Sequence, residues 1–216
     1  MSYITLVRHG QANTTARDEA GYDRLSALGT QQAAWLGQHL THTGEHFPRA
    51  YRGSLHRHRE TAEAMGRPDA HTDPRLNEMA FFTMAQLYED QHGAAIPDSR
   101  EDFALHLPRM IAAWEAGEID GAPESFAAFE TRVKGGLTEI AEGEGRAIVV
   151  TSGGVIGMAL RITMGLDITA MARVCLAVEN TSLSRWLPLH GSLALTQFNA
   201  LPHLESPERQ FARTHL

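Results

Sequence analysis

The chain has 216 residues, with 19 Lys and Arg against 26 Asp and Glu, and a formal net charge of −7 at pH 7. This length suits one domain or two small ones, and an apolar content of 43% is ordinary for a globular protein with a full hydrophobic core. The acidic balance argues against a nucleic-acid partner and against docking on an anionic membrane, because both need a basic surface.

We expect neither a secretory signal nor a membrane-spanning segment. The single cysteine, Cys175, excludes an internal disulfide. The apolar run over residues 155–160 meets Arg161 well before it reaches spanning length, and the N-terminus lacks the cationic start of a secretory signal. We therefore expect a soluble cytoplasmic protein.

The first elements alternate between predicted strand and predicted helix. Residues 3–7 are a short apolar and β-branched run, which predicts a buried strand that ends at the polar residues Arg8 and His9. A polar loop follows, and Ser26 is the predicted N-cap of a helix that ends at Gly44.

The second strand and helix have weaker signals. Residues 49–53 are a strand candidate. Ser54 is the predicted cap of a helix over residues 55–65, because Gly66 and Pro68 follow in the order typical of a helix end.

The middle of the chain, residues 81–145, is predicted to be helical. Apolar residues recur there at helical spacing in two sets, which are Leu105, Met110, Ile111 and Trp114, and then Phe126, Phe129, Val133, Leu137 and Ile140. Core packing explains both sets.

The last third of the chain begins with the clearest buried strand, over residues 146–151, which turns directly into an apolar helix over residues 155–164. Two further strands over residues 183–187 and 193–198 are close enough for a hairpin across residues 188–191. The tail from Pro202 is predicted to be irregular.

This alternation predicts an α/β fold, a three-layer α/β/α sandwich around a mostly parallel, mixed sheet. We expect a single domain over residues 1–216 with a helical insertion at about residues 80–145.

Polar residues follow three of the predicted strands. Arg8 and His9 end the first strand, Arg57 lies in the first turn of the helix after the second, and residues 152–154 open a helix after the strand over residues 146–151. Ligands of open α/β sheets bind beyond the carboxyl ends of the strands. Because guanidinium groups and helix N-termini both suit phosphate or carboxylate, the sequence predicts an anion site at this sheet edge.

These polar segments resemble the motifs of the histidine phosphatase superfamily, which includes the phosphoglycerate mutases. The similar segments, in chain order, are LVRHGQ at 6–11, LSALG at 25–29 with Gln32 and Ala33, SLHR at 54–57 with Thr61 and Ala62, LNE at 76–78, Glu124 and Ser125 with Arg132 and Val133, and 149–150 with GGVI at 153–156. The segments keep the family's order, so the resemblance extends over most of the chain.

The resemblance implies that His9 is a nucleophile that forms a phosphohistidine. Glu78 would protonate the leaving oxygen and then help a water attack the intermediate. Arg8 and Arg57 would hold the phosphoryl oxygens, and since they supply positive charge the reaction needs no metal or other cofactor. A neutral imidazole suits this role because its pKa lies near 7.

Other residues are candidates with simpler explanations beside them. Asn13 and Thr15 are near enough to His9 along the chain to contact phosphate. Arg57 lies in a charged run that, taken alone, indicates a solvated helix face.

Ser152 departs from the family, which has a second histidine at this place. Serine keeps one hydroxyl donor but loses an imidazole that can carry charge. A hydrogen bond to a charged group contributes about 1.5–3 kcal/mol and a neutral one about 0.5–1.5 kcal/mol, which predicts a loss of about tenfold in turnover. Backbone donors at Gly153 and Gly154 would preserve phosphate binding.

Three alternatives bear on this departure. Ser152 could itself be a nucleophile, although Val150 stands where a nucleophile elbow has its first glycine. His56 or His58 could lean into the site, although an exposed helix face explains both. A third set, His39, His42 and His46, has spacings that suit a metal but lacks a matching carboxylate or cysteine, and a surface cluster explains it.

The sequence therefore predicts a metal-independent phosphomonoester hydrolase that acts on a small phosphorylated molecule. The alternative is a catalytically impaired phosphate-binding or interaction module of the same fold. A mutase is less favoured, because residues 81–145 show no basic cluster for a second phosphate. Apolar residues that could cover the substrate or fill the core are Met79, Phe81, Phe82, Met84 and Tyr88. Nothing in the sequence indicates the oligomeric state.

Overall fold

The computed structural model describes residues 3–189 and 191–215. The strands are β1 (Ile4–Arg8), β2 (Arg49–Arg52), β3 (His71–Thr72), β4 (Ala147–Thr151), β5 (Leu183–Leu189) and β6 (Ser192–Ala200). The α-helices are α1 (Glu19–Tyr22), α2 (Ala27–His42), α3 (His56–Ala64), α4 (Phe81–His92), α5 (Arg100–Glu115), α6 (Phe126–Glu142), α7 (Gly153–Met164) and α8 (Ile168–Ala177). Short 3-10 turns cover Pro74–Leu76, Pro202–Leu204 and Pro207–Ala212.

The strands form one mixed sheet in the order β3-β2-β4-β1-β5-β6. Strands β3, β2, β4 and β1 are parallel to one another. Strand β5 runs antiparallel to β1, and β6 runs antiparallel to β5. Arg8 pairs with Thr151, so the carboxyl ends of β1 and β4 lie side by side. The predicted mixed sheet and the α/β/α class are confirmed.

Both faces of the central strands are buried. On β1, Leu6 packs in one apolar cluster with residues of α5, α6 and α7, while Val7 packs in a second cluster with residues of α2 and α3. This two-sided burial explains why β1 and β4 read as continuous apolar runs and not as alternating ones.

The helical segment between β3 and β4 is confirmed as α4, α5 and α6. The second predicted apolar set lies along α6 and is buried throughout. In the first set Leu105 is 61% exposed, so it is not part of the core. None of the described helices has the length and the apolar character to cross a membrane.

The start of α3 differs from the prediction. Leu55, not Ser54, occupies the N-cap position, and its side chain makes no capping hydrogen bond. The carboxylate of Asp23 caps the helix instead, because it accepts hydrogen bonds from the backbone N–H groups of His56 and Arg57 at 2.9 and 3.1 Å. The prediction failed because this cap comes from a distant loop.

Two other predictions need correction. Helix α8 was missed, although Asp167 caps it with a side-chain hydrogen bond to the N–H of Ala170. The tail is not irregular, since its 3-10 turns place Leu204 and Ala212 in a small cluster against Trp35. The predicted connection over residues 188–191 contains residue 190, which lies outside the described residues.

Candidate active site

The carboxyl ends of β1 and β4 open into a cavity of about 750 Å³. Predicted site residues that line this cavity are Arg8, His9, Arg57, Glu78 and Gly153. They come from the end of β1, the first turn of α3, the loop after the 3-10 turn Pro74–Leu76, and the start of α7. The structure therefore brings together groups that lie up to 145 positions apart in sequence.

His9 is held by both its backbone and its ring. Its backbone N–H donates to the carbonyl of Thr151 at 2.8 Å, and the Asn180 side chain donates to its carbonyl at 3.1 Å. Its Nδ1 lies 2.7 Å from the carbonyl oxygen of Gly10. Because a carbonyl can only accept, Nδ1 carries the proton and the lone pair of Nε2 is free.

The surroundings of His9 keep it neutral. The side chain is 2% exposed. Burial, and after it the positive charges of Arg57 and Arg8 and the neighbouring His58, hold the pKa of His9 well below its usual value. A neutral imidazole with a free Nε2 is the form that can attack an electrophile.

The loop after His9 depends on glycine. A Cβ on Gly10 would lie 2.3 Å from the carbonyl oxygen of Gly29, far inside van der Waals contact. The N–H of Gly10 donates to the Thr61 hydroxyl at 3.1 Å. The loop is therefore fixed against α2 and α3, and it holds the Gly10 carbonyl against the His9 ring.

Arg57 is buried and oriented by two neighbours. It is 3% exposed, donates from NH1 to Asp23 Oδ1 at 3.0 Å, and lies 5.2 Å from the centroid of the Tyr22 ring. Its Nε–H has no hydrogen-bond partner among the described residues. The solvated-face explanation of Arg57 is wrong.

Arg8 has a similar arrangement on the other wall. It is 8% exposed, and its NH1 donates to the carbonyl of Val178 and to that of His215 at 2.6 Å. Its Nε, like that of Arg57, finds no acceptor in the described part of the chain. Arg8 and Arg57 thus place two buried guanidinium groups in the wall of a cavity that was predicted to hold an anion.

Glu78 lies at the N-terminus of α7. Its Oε2 accepts from the N–H of Gly154 at 2.8 Å, and its Oε1 accepts from the N–H of Met79 at 3.1 Å. A Cβ on Gly154 would lie 2.2 Å from Oε1, so this contact requires glycine. The carboxylate thus occupies one of the two backbone donors that the sequence assigned to phosphate, while Gly153 still lines the cavity.

Asn13 and Thr15 point to each other and not to the cavity. Asn13 Oδ1 accepts from the Thr15 hydroxyl at 2.8 Å, and Asn13 Nδ2 donates to the carbonyl of Gly21 at 3.2 Å. Neither residue lines the cavity, although Thr14 between them does. The structure does not bring these two side chains to the predicted site.

Ser152 is fully buried at the N-cap of α7 and does not line the cavity. Its Oγ lies 2.7 Å from Nε2 of His58, a side chain that is also fully buried. The expectation that His58 lies on an exposed helix face is therefore wrong, whereas His56 is exposed as expected.

Several cavity residues were not predicted. Glu19 lines the cavity, accepts from the N–H of Phe82 at 2.8 Å, and has a pKa raised by burial. Tyr22 and Asn180 also line it, and Asp23 holds Arg57. No local pattern marks these residues, because each acts through a contact with a distant part of the chain.

The described residues do not support a cysteine nucleophile or a metal site. Burial raises the pKa of the Cys175 thiol, which lines the cavity, so it stays protonated and is a poor nucleophile. Within residues 3–189 and 191–215, no group of three or more His, Cys, Asp or Glu side chains is arranged to hold a metal ion.

A mixed α/β sheet with a buried histidine and two buried arginines at its carboxyl edge is the arrangement that the sequence predicted for an anion site. The chain matches the family model of the histidine phosphatase superfamily (branch 1) over residues 4–201, and it belongs to this family. No curated protein matches the chain significantly.

Solved structures with the same fold include phosphatases and a phosphoglycerate mutase. A mutant phosphoserine phosphatase of Entamoeba histolytica in complex with phosphoserine is 20% identical, with a TM-score of 0.70 over 94% of this chain and 100% of that chain. The α-ribazole phosphatase of Shigella flexneri is 20% identical, with a TM-score of 0.68 over 92% and 96%. A phosphoglycerate mutase of Bacillus anthracis is 18% identical, with a TM-score of 0.64 over 94% of both chains.

Proposed function

We propose that this protein is a metal-independent phosphomonoester hydrolase that acts through a phosphohistidine at His9. One observation carries the proposal. The neutral His9 ring, with Nε2 free, lines a cavity whose walls contain the two buried guanidinium groups of Arg8 and Arg57. The arginines provide the positive charge that would stabilise a transferring phosphoryl group.

The reaction would proceed in two displacements. The Nε2 lone pair attacks phosphorus while the bond to the ester oxygen breaks, and the carboxyl group of Glu78 gives a proton to the leaving oxygen. A water then attacks the phosphohistidine and loses a proton to Glu78. The P–N bond breaks, its electron pair returns to Nε2, and inorganic phosphate leaves. Arg8 and Arg57 would hold the phosphoryl oxygens throughout.

The rate should depend on pH through His9. Only the unprotonated ring can attack, so kcat/KM falls as the pH falls through the pKa of His9 in the free enzyme. Because burial and the arginines lower this pKa, we expect kcat/KM to stay constant from pH 7 to below about 6.5, the usual histidine value. A pH profile of kcat/KM checks this. An acidic limb centred at or above the usual value would contradict it.

We further propose that the substrate carries an apolar organic group. The cavity is larger than a phosphate needs. Its lining includes the apolar residues Met79, Phe81, Phe82, Ile96, Pro97, Phe103 and Leu107, beside the charged residues Arg17, Asp98 and Arg100. Met84 and Tyr88 do not line the cavity, and Met84 is buried in the core. The apolar side chains at the start of α4 and along α5 therefore form the wall that faces the substrate.

A phosphate ester of an apolar alcohol should be a better substrate than a small charged one. We expect kcat/KM for 1-naphthyl phosphate to exceed that for phosphoserine by at least about tenfold, because burial of apolar area contributes about 25 cal/mol per Å². Phe103→Ala should lower kcat/KM for the naphthyl ester only, with Leu105→Ala, exposed on the same helix, as the control. Equal rates on both esters would contradict this substrate class.

A further inference from the structure

Ser152 and His58 form a buried pair behind the candidate nucleophile. His58 belongs to the first turn of α3 and Ser152 is the N-cap of α7, and both side chains are completely buried. The Ser152 hydroxyl makes no capping bond to its own helix and lies 2.7 Å from His58 Nε2. Serine is a favoured N-cap because its hydroxyl usually bonds the first turn, so this hydroxyl has a different partner.

The pair is in contact with His9 from two directions. The His58 ring lies 5.8 Å from the His9 ring, centroid to centroid, at an angle of 35°. Ser152 directly follows Thr151, whose carbonyl accepts from the backbone N–H of His9 at 2.8 Å. A change in either residue of the pair therefore acts on the nucleophile at short range.

The space around the pair holds one imidazole and not two. A Cβ on Gly53 would lie 2.2 Å from His58 Nδ1, so the ring fills the room that this glycine leaves. On its other side the ring meets Ser152 at hydrogen-bond distance. A larger side chain at position 152 would have to enter the volume of the His58 ring, because interiors are close-packed.

The protonation of the pair follows from its partners. Burial, and then the charges of Arg57 and Arg52, hold the pKa of His58 well below its usual value, so the ring is neutral. Its Nδ1 has no partner among the described residues. A proton on Nε2, donated to Ser152 Oγ, leaves no buried N–H unsatisfied, and the Ser152 hydroxyl hydrogen then remains available to another acceptor.

We propose that His58 is a positioning residue for His9 and works with Ser152 as one unit, so that an imidazole at position 58 replaces the one that the family resemblance implies at position 152. The proposal rests on the proposed function for its kinetic readout. On this view Ser152 does not mark lost catalysis, because its small side chain makes room for the ring of His58.

The proposal predicts opposite effects of one substitution in two backgrounds. Ser152→His alone should lower kcat by at least about tenfold, because two rings compete for one space. The same substitution combined with His58→Ala should raise kcat by at least about tenfold over Ser152→His, since the ring then has room. His56→Ala, an exposed neighbour on the same helix, serves as the control and should match the unmodified protein.

Two further variants separate positioning from simple stability. His58→Gln can still place a donor near Ser152 Oγ and should retain most of kcat, whereas the shorter His58→Asn should lose about tenfold with little change in KM. NMR titration of His9 gives a readout that does not need activity. The pKa of His9 should rise in His58→Asn, because water enters beside the ring and reduces the burial that disfavours its charged form.

Each outcome has a definite meaning. If Ser152→His raises kcat in the unmodified background, or if the double variant is no better than Ser152→His, the proposal that the imidazole at position 58 replaces one at position 152 is refuted. An unchanged His9 pKa in a folded His58→Asn protein would also refute it. If no phosphate ester is hydrolysed by the unmodified protein, the proposed function fails, while the His9 titration still decides the role of His58.

Discussion

Replacing His9 with alanine is expected to reduce hydrolysis of any phosphate ester by at least about 10³-fold, because removal of a covalent nucleophile leaves only binding and electrostatic effects. Phosphate should still bind, since Arg8 and Arg57 do not depend on the His9 ring for their positions. Steady-state assays with 1-naphthyl phosphate, together with calorimetric titration of inorganic phosphate, measure the two effects separately.

The control for this variant is His56→Ala, which removes an exposed histidine from α3. If His9→Ala and the unmodified protein hydrolyse the ester at the same rate, His9 is not the nucleophile. Phosphate binding without hydrolysis in the unmodified protein would favour the phosphate-binding or interaction module.

Arg57→Ala is expected to lower kcat/KM by about 10²–10³-fold, which corresponds to about 3–4 kcal/mol, the scale for loss of one preorganised donor. The guanidinium is buried, paired with Asp23 and close to the Tyr22 ring, so its position at the cavity wall is fixed before any substrate enters. Arg57→Lys should recover only part of the rate, because an ammonium cannot reproduce the planar donor geometry.

Arg59→Ala is the matched control for Arg57→Ala, because Arg59 lies on the same helix with 43% of its side chain exposed. Loss of Arg57 also leaves the Asp23 carboxylate without its partner, so thermal unfolding of each variant accompanies the kinetics. A well-folded Arg57→Ala protein with nearly unchanged kcat/KM would contradict the assignment of this residue to the phosphate.

The elements that could be predicted from local sequence are those whose burial leaves a clear apolar pattern. Strands β1 and β4 were predictable because both of their faces are buried and their residues, apart from Arg8, are apolar or β-branched. The stripe along α6 was predictable because a single face is buried. Strand β3 has only two residues. Helix α8 was missed although its signals are plain, since the N-cap Asp167 precedes apolar residues at helical spacing (Ile168, Met171, Ala172 and Cys175).

Most of the predicted residues that line the cavity follow a strand or open a helix, whereas Glu78 was predicted from the family resemblance alone. Arg8, His9 and Arg57 meet this condition, and the topology then brings them to one edge. The roles of Asp23 and His58 were not predictable, because they depend on contacts between residues 34 and 94 positions apart. Asn13 and Thr15 were placed by sequence distance alone, and their hydrogen bonds to each other and to Gly21 turn them away from the cavity.

The most direct test is to trap the covalent intermediate. Rapid quenching of the protein with 1-naphthyl phosphate at alkaline pH, followed by peptide mass spectrometry, should find a phosphoryl group on His9 in the unmodified protein and none in His9→Ala. Hydrolysis that proceeds with no phosphoryl group on His9, or with the group on another residue such as Ser152, would contradict the account.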